Sequence, residues 1–518
     1  MSKPFSICML LKGEGLLIGF SDGDPVIIGA SPSDESEYSF QNGLEQVSVP
    51  ANKLEIGSGG SSGTASASIP AESFDILGAV ASGIVSTGIL AEIRYVTEGL
   101  FWSECPLLFK GVVKSAGIDE YEGVINLNFE ANTQNVNVDF PSSRVGDAGR
   151  FDNPPENTFD RVLPVVYGLV TKYSIPAVEF TSTPTGGGEV DVCLAAHVIY
   201  GSPERPGFVQ LGNSNLGDLA PYYEVKTASD NFGNGYSYVT IPLDLWDDGM
   251  YARNVSGKTS ADGARMESLG DIIKDLWFSY SGSTGEDFDF ARSFYASDRL
   301  NRFSCGFAFT EADRGQTLFD VFVGRIGDLP VSFSSPIGML GWDSTIIPTI
   351  GSEVTGILEL GVNIFERTDV DLVGYDKVQN RFKVSFKYDE ETEGNTASLL
   401  VDESNSGLCR ESQSRYGKSQ YISISIPDVV TPASAGAYLA NEINSRAFPR
   451  LQVSYFTDDM DFLATPMLSV FKINDEDVGF SDSLFFLESV SPDIDNGGCL
   501  ITLRSVLSSE STLIRSKS

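Results

Sequence analysis

A chain of 518 residues is longer than one ordinary domain, and its 41% hydrophobic content is enough to bury several cores. Its 71 Asp and Glu outnumber 35 Lys and Arg, giving a formal net charge of −36. Such a surplus excludes a basic nucleic-acid-binding surface or adhesion to an anionic membrane, because both would repel it. Two explanations stay open: colloidal solubility, including in a saline habitat, or a wall past which DNA slides without sticking.

The first 150 residues read as β structure. Short apolar runs recur at Ile7–Leu11, Leu16–Phe20, Val26–Ile28, Ile89–Val96, Pro106–Val113 and Val124–Phe129, separated by Gly, Ser and Asp. ILAEIRYV (Ile89 to Val96) and LLFKGVV (Leu107 to Val113) are expected as adjacent strands of a small barrel. GSGGSSGTASAS (Gly57 to Ser68) reads as a flexible loop tip. ILGAVASGIVSTGILA (Ile76 to Ala91) is too short and too diluted by Gly, Ser and Thr to span a bilayer, and reads as strand and turn. The N-terminal MSKPFSICML lacks the apolar core and cleavage site of a signal peptide.

DNPPEN (Asp152 to Asn157) reads as a joint, and VLPVVYGLV (Val162 to Val170) as a buried strand bounded by Pro164 and Gly168. Turn-rich β segments continue to about Asp262. Ser268 and Asp271 have the spacing of a capping box, and Leu269, Ile272, Ile273, Leu276 and Trp277 fall on one helical face. Thr310 and Asp313 repeat the cap signature before Leu318, Phe319, Phe322 and Val323, with Gly327 as the stop. FSCGFAF (Phe303 to Phe309) alternates as a strand between these two helices. The chain then returns to β, with one helix that has Thr431 as N-cap, Pro432 at its first position and Pro449 just past its end. Tyr438, Leu439 and Ile443 are expected to face the sheet of this region, with the helix packing on the C-terminal barrel. Asp493 to Gly497, with its Asn-Gly step, is read as the tight turn between the last two strands.

Little in the chain points to catalysis. The single histidine, His197, lies in the apolar run CLAAHVIYG (Cys193 to Gly201), so any Ser or Cys nucleophile paired with histidine would have to use it. Cys8, Cys105, Cys193, Cys305, Cys409 and Cys499 show no CxxC or short pairing, which argues against zinc or a disulfide scaffold and for buried thiols made in a reducing cytosol. DGD (Asp22 to Asp24), TDDMD (Thr457 to Asp461) and DIDNG (Asp493 to Gly497) are acidic enough for calcium, but none completes an EF-hand loop. GGSSG (Gly59 to Gly63) lacks the GK[ST] ending of a phosphate loop. Paired carboxylates for glycoside hydrolysis cannot be singled out among so many acids, and no lysozyme-like helical stretch is visible. Lys383 and Lys387 sit on one face of FKVSFKY, a solvated edge opposite a core face. The expectation is therefore no enzyme, with no catalytic, cofactor-binding or metal residue assigned.

The last third carries an ordered set of features: RFKVSFKY (Arg381 to Tyr388), an acidic loop, SRYGKSQ (Ser414 to Gln420), a strand at Tyr421–Ile426, the Thr431 helix, FPRLQVSYF (Phe448 to Phe456), an apolar segment at Leu468–Ile473, and a closing pair ending in CLITLRSVL (Cys499 to Leu507). In this order the stretch resembles the distal half of a tailed-phage baseplate hub, or tail-tip protein. VLPVVYGLV is similar to a phrase that recurs in phage tail-tip proteins, and the N-terminal β region resembles the barrel with which hubs often begin. The resemblance implies a mainly β, multidomain fold with α+β modules, in which two barrel-like β domains flank an inserted β domain and a small α+β domain. In this sequence they correspond to residues 1–150, 151–262, 263–350 and 351–518, the first and last being the barrels. It implies a structural virion protein, a homotrimer whose six barrels adapt a sixfold tube to a threefold tip and close the lumen until genome ejection. The implied partners are a distal tail or tail-tube protein, the tape-measure protein and central tip or fibre proteins. DNA would be met only in passage, and no membrane insertion is expected. The location would be the virion tail tip, assembled in the bacterial host cytoplasm. The alternative is a receptor- or carbohydrate-binding tail component, with LAPYYEV (Leu219 to Val225) and NFGNGYSY (Asn231 to Tyr238) as sugar-stacking loops. A secreted acidic protein of a halophile is a more distant alternative.

Overall fold

The architecture is known from a computed structural model that describes residues 5–13, 16–53, 61–70, 89–119, 121–147, 149–171, 175–181, 188–202, 205–213, 220–260, 262–282, 288–335, 337, 339–374, 377–389, 394–417 and 420–506. The fold is mainly β and multidomain, as expected. Residues 5–130 build a nine-stranded sheet around the strand Phe5–Gly13. That strand shows why the N-terminal run is so apolar. Ile7, Met9 and Leu11 face the main core, whereas Cys8 and Leu10 face a second, smaller core with Ile28, Phe40 and Trp102. Side chains alternate along a strand, so both faces must be apolar when both are covered.

Leu90–Thr97 and Leu107–Asp119 are adjacent and antiparallel, with Ile93 opposite Phe109, as their sequences suggest. The sheet curls. The backbone N–H of Leu44 bonds to the carbonyl of Ser21, and that of Glu45 to Ser68, so one short link between strands bridges the third and the eighth strands of the order.

One expectation fails here. The described part of the Gly57 to Ser68 stretch is strand, not loop: Ser61–Ser62 pairs with Ser334–Ser335, and Thr64–Pro70 pairs with Val124–Glu130. Ala65, Ala67 and Ile69 alternate inward. Small residues look flexible in isolation, but here the neighbouring ladder fixes their backbone. Residues 57–60 and most of Ile76 to Ala91 lie outside the described residues.

The C-terminal barrel is built from strands Val354–Glu359, Glu366–Val373, Arg450–Thr457, Val470–Asp475, Phe480–Asp493 and Gly498–Ser505. Its two edge strands, Val354–Glu359 and Glu366–Val373, are consecutive in the chain and joined by a short turn. A sheet whose opposite edges are so closely linked has to curl round on itself. The short strand Asn52–Lys53 from the N-terminal region pairs with Ser489 and Val490 of this sheet. Both barrels contribute to one continuous hydrophobic core, from Ile7 and Phe129 on one side to Tyr455 and Leu503 on the other.

Between the barrels lie two further bodies. Residues 165–255 form small antiparallel sheets around Val192, Leu194, Val209, Leu211 and Ile241. Gly168 in VLPVVYGLV has φ +61°, and a Cβ there would lie 1.8 Å from the Cys305 carbonyl oxygen, so only glycine fits this crossing of strands. The second body centres on Trp277, Trp342, Phe303 and Phe322.

Its helices differ from the expectation in several ways. Leu269–Tyr280 buries the five expected residues, but Ser268 forms no capping bond and instead donates to Asn301. Thr310 caps only a short turn of 3-10 helix, Glu311–Asp313, and the apolar helix starts at a second capping box, Thr317 with Asp320. Two helices were not foreseen: Phe290–Leu300 and Gly407–Tyr416. The helix Pro432–Arg446 has the expected cap, with Thr431 Oγ1 accepting from the Ser434 N–H. Its apolar residues face a sheet of the C-terminal region, as expected, but not the sheet of the C-terminal barrel. Tyr438, Leu439 and Ile443 instead join the core around Trp277, against the sheet formed by Gly394–Val401, Arg381–Asp389 and Tyr421–Ile426. The last turn is also looser than expected. Four residues lie between Asp493 and Gly498, and of these only Gly497 has positive φ.

Candidate functional site

His197 is buried, and its Nε2 accepts a 2.9 Å hydrogen bond from the backbone N–H of Val166. That bond fixes the proton on Nδ1, which faces the Val198 carbonyl at 3.3 Å. Burial, reinforced by the Lys258 ammonium, pushes the imidazole down to about 4. The ring is thus a neutral acceptor that ties the turn after Glu189–Ala195 to the strand Val165–Tyr167. Nearby Cys193 is a buried thiol, pushed up to about 12 by burial, with its Sγ directed at the Ala195 carbonyl.

All six cysteines are free and buried. Burial also pushes Cys8 and Cys499 up to about 12, so each is held as a thiol. The acidic clusters are engaged in backbone geometry. Asp22 accepts from the Ile7 N–H, Asp459 caps the turn Met460–Ala464, and Asp493 accepts from both the backbone and side-chain amide of Asn496. No three His, Cys, Asp or Glu side chains gather into a metal-sized cluster among the described residues. On the strand Arg381–Asp389, Phe382, Val384 and Phe386 are buried while Lys383 and Lys387 face outward. Lys387 also has φ +58° and sits where the pairing with Gly394–Val401 is interrupted.

Charge inside the barrels is locally neutralised. Burial works against the Glu92 carboxylate, but Lys12, Arg94 and Lys110, with the Trp102 indole N–H at 3.0 Å, outweigh it and hold the carboxyl below its usual range. Asp475 is likewise held down against its burial by Arg367 at 2.6 Å and the Tyr455 hydroxyl at 2.8 Å. These groups brace strands and leave the rest of the acid surplus to other positions.

Two exposed faces stand out. On the helices Leu269–Tyr280 and Phe290–Leu300, the rings of Phe278, Phe290 and Phe294 pack on one another, with Phe278 51% exposed. On the C-terminal barrel, Ile357, Val362, Phe365, Val370 and Leu372 are exposed along the two consecutive edge strands and the turn joining them. Exposed apolar groups that touch one another, as the Phe278, Phe290 and Phe294 rings do, mark interaction surfaces. The aromatic loop NFGNGYSY is turned the other way: Tyr236 is buried against Phe151 and Phe180, and only Phe232 projects strongly. Leu219 lies outside the described residues, and Tyr222 and Tyr223 are half-buried.

No helix of the described residues is long and apolar enough to cross a membrane. No family model and no curated protein matches the chain. Among solved structures, the chain is similar to a 43 kDa prophage tail protein of Shewanella oneidensis, with 11% identity over 96% of this chain and 98% of that one, at a TM-score of 0.36. It is similar to a tail protein of Neisseria meningitidis, with 8% identity over 97% and 96% of the two chains, at a TM-score of 0.39. A prophage tail protein of Listeria monocytogenes matches with 9% identity over 92% and 94%, at a TM-score of 0.30.

Proposed function

We propose that this chain is a structural subunit of a phage tail, the baseplate hub that closes the tail tube at its tip. The observation that carries the reading is the pair of curled sheets at the two ends of the chain, joined by the Asn52–Lys53 strand and one continuous core. Two barrels held rigidly side by side let three copies offer six similar faces to a sixfold tube and a threefold face below. Closed cyclic symmetry buries equivalent patches without polymerising. The exposed Phe278 cluster and the apolar edge strands of the C-terminal barrel are the surfaces such contacts would cover.

In this reading the building units follow the chain as 1–150, 151–262, 263–350 and 351–518, with residues 377–448 of the last unit packing back onto the third. The partners are a distal tail or tail-tube protein above, the tape-measure protein within, and central tip or fibre proteins below. DNA is met only as it passes through the lumen. The subunit is assembled in the host cytoplasm and acts in the virion, without enzymatic activity. The charge of −36 suits a lumen wall that phosphates do not stick to. Repulsion beyond a Debye length of roughly 8 Å is screened, so the benefit is at contact.

The test is to offer the purified chain to tail-tube rings and, separately, to a glycan array. Capture on tube ends without glycan binding is expected. Glycan binding without tube capture would favour the receptor-binding alternative.

A further inference from the structure

A sheet edge that no strand covers leaves a row of N–H and C=O groups ready to pair with another chain, and proteins normally blunt such edges. In the C-terminal region four strands end their sheets: Val354–Glu359, Glu366–Val373, Gly394–Val401 and Tyr421–Ile426. Two of the four are blunted. Asn363 lies along Val354–Glu359, donating from Nδ2 to the Ile357 carbonyl at 2.9 Å and accepting from the Glu359 N–H at 2.8 Å. Asn405 Nδ2 likewise donates to the Leu400 carbonyl at 2.9 Å, and the pairing of Gly394–Val401 is interrupted at Lys387.

The other two edges are open. Tyr421–Ile426 pairs with Arg381–Asp389 over six residues without a bulge, and it holds no charge and no proline. Its Ile422 and Ile424 pack on the core around Trp277 but are only half-buried, so the inward face is incompletely covered at this edge. Tyr421 and Ser423 are exposed beside their register partners Arg381 and Lys383. Arg381 lies 4.0 Å from Asp402, and Lys383 makes no ion pair among the described residues.

On Glu366–Val373, every residue from Thr368 to Leu372 is exposed. Side chains alternate, so both faces of this strand are bare, with Val370 and Leu372 on one and Asp369 and Asp371 on the other. No side chain from elsewhere caps its backbone among the described residues; the Leu372 N–H is met by its own neighbour, Asp371, at 2.7 Å.

The two open edges match. Laid side by side, Val370 and Leu372 extend the half-covered row of Ile422 and Ile424, and Asp369 and Asp371 fall on the face that carries Arg381 and Lys383. Two strand spacings, about 10 Å, separate these acids from the bases, a gap that Lys and Arg side chains span. A slip of one residue turns the aliphatic pair onto the charged face, so the pattern fixes the register. Within one chain the two strands belong to different sheets and do not pair.

We propose that Glu366–Val373 of one copy adds to the edge Tyr421–Ile426 of the next, extending its three-stranded sheet by one strand. The contact joins two different surfaces, so it runs head to tail and closes a ring when the rotation allows. It rests on the hub reading in one respect, that copies of this chain meet around a common axis.

Cysteine cross-linking of the full chain tests it. All six native cysteines are buried, which leaves an introduced one as the thiol that a short bismaleimide reaches. Concentrated Ser423→Cys mixed with Asp371→Cys should give a cross-linked dimer. Ser423→Cys mixed with Tyr121→Cys, at a fully exposed position on the N-terminal barrel, should not. Asp369→Lys with Asp371→Lys should weaken self-association in sedimentation at least about fivefold, and adding Arg381→Glu with Lys383→Glu should restore part of it. A chain that stays monomeric, equal cross-linking to Tyr121→Cys, or a charge reversal without restoration would each overturn the pairing. An oligomer lacking the cross-link would overturn it and leave the hub ring standing. Cross-linked copies that ignore tail-tube rings would uphold the pairing and remove the hub reading.

Discussion

The Tyr95 hydroxyl donates a 3.3 Å hydrogen bond to the carbonyl of Gly497, joining the two barrels across 402 positions of sequence. Phe5 stacks on Tyr95 with ring centroids 4.6 Å apart, and its ring also abuts Gly497, where a Cβ would lie 2.2 Å from a ring carbon. Gly497 adopts φ +70°, so the turn of one barrel is shaped to rest on aromatic rings of the other.

Gly497→Ala should therefore strain the turn and force the Phe5 ring aside. A destabilisation of about 1–3 kcal/mol is expected from the clash and the left-handed backbone together. Tyr95→Phe, which removes only the hydroxyl, should cost about 0.5–1.5 kcal/mol. Urea unfolding monitored by fluorescence measures both, and an alanine variant as stable as the wild type would contradict the contact.

Leu439 is 3% exposed in the core shared by the helix Pro432–Arg446 and the sheet containing Phe382 and Val384. Leu439→Ala should cost about 2–5 kcal/mol by the lost transfer energy and the cavity left behind. Hydrogen exchange should show this helix protected in the wild type and its protection lowered together with that of Arg381–Asp389 in the variant. An unprotected wild-type helix would contradict the packing.

His197 makes stability depend on pH in a defined direction. Its folded value of about 4 lies below the ordinary 6.5, so the unfolded chain takes up the proton first as pH falls. Above pH 6.5 the residue contributes nothing to the pH dependence. Between about 6.5 and 4 it removes up to about 3 kcal/mol, and below 4 the loss is constant. His197→Gln keeps an acceptor for the Val166 N–H and should flatten this slope while leaving tail assembly near the wild-type level. Unfolding midpoints measured from pH 7 to pH 4 for both proteins check it, and identical slopes would contradict the assigned role.

How much of this was legible in the sequence depended on which side chains each element buries. Leu269–Tyr280 could be read because its buried face is its apolar one. Phe290–Leu300 could not, because its pattern is inverted. It buries Arg292, Ser293 and Ser297, which serve Asp343 and Trp342, and it exposes Phe290, Phe294 and Tyr295. Periodicity would have pointed the wrong face inward. Gly407–Tyr416 buries little beyond Cys409 and Ser412, so it had almost no apolar signal to read. Six strands of the first 150 residues were legible as short apolar runs between turn residues, whereas Asp34–Asn42, which leaves most of its polar side chains exposed, and Thr64–Pro70, where Ala65 and Ala67 carry the inward face, were not.

The central proposal is that the two barrels of each chain take two of the six places in a closed ring. A cryo-electron microscopy reconstruction of the assembled tail tip measures this most directly, by counting copies and tracing which faces meet. The account predicts three copies forming a closed ring of six barrels, with an acidic inner wall and the Phe278 face or the edge strands of the C-terminal barrel covered. One copy, six copies, or a lysine-lined channel would contradict it.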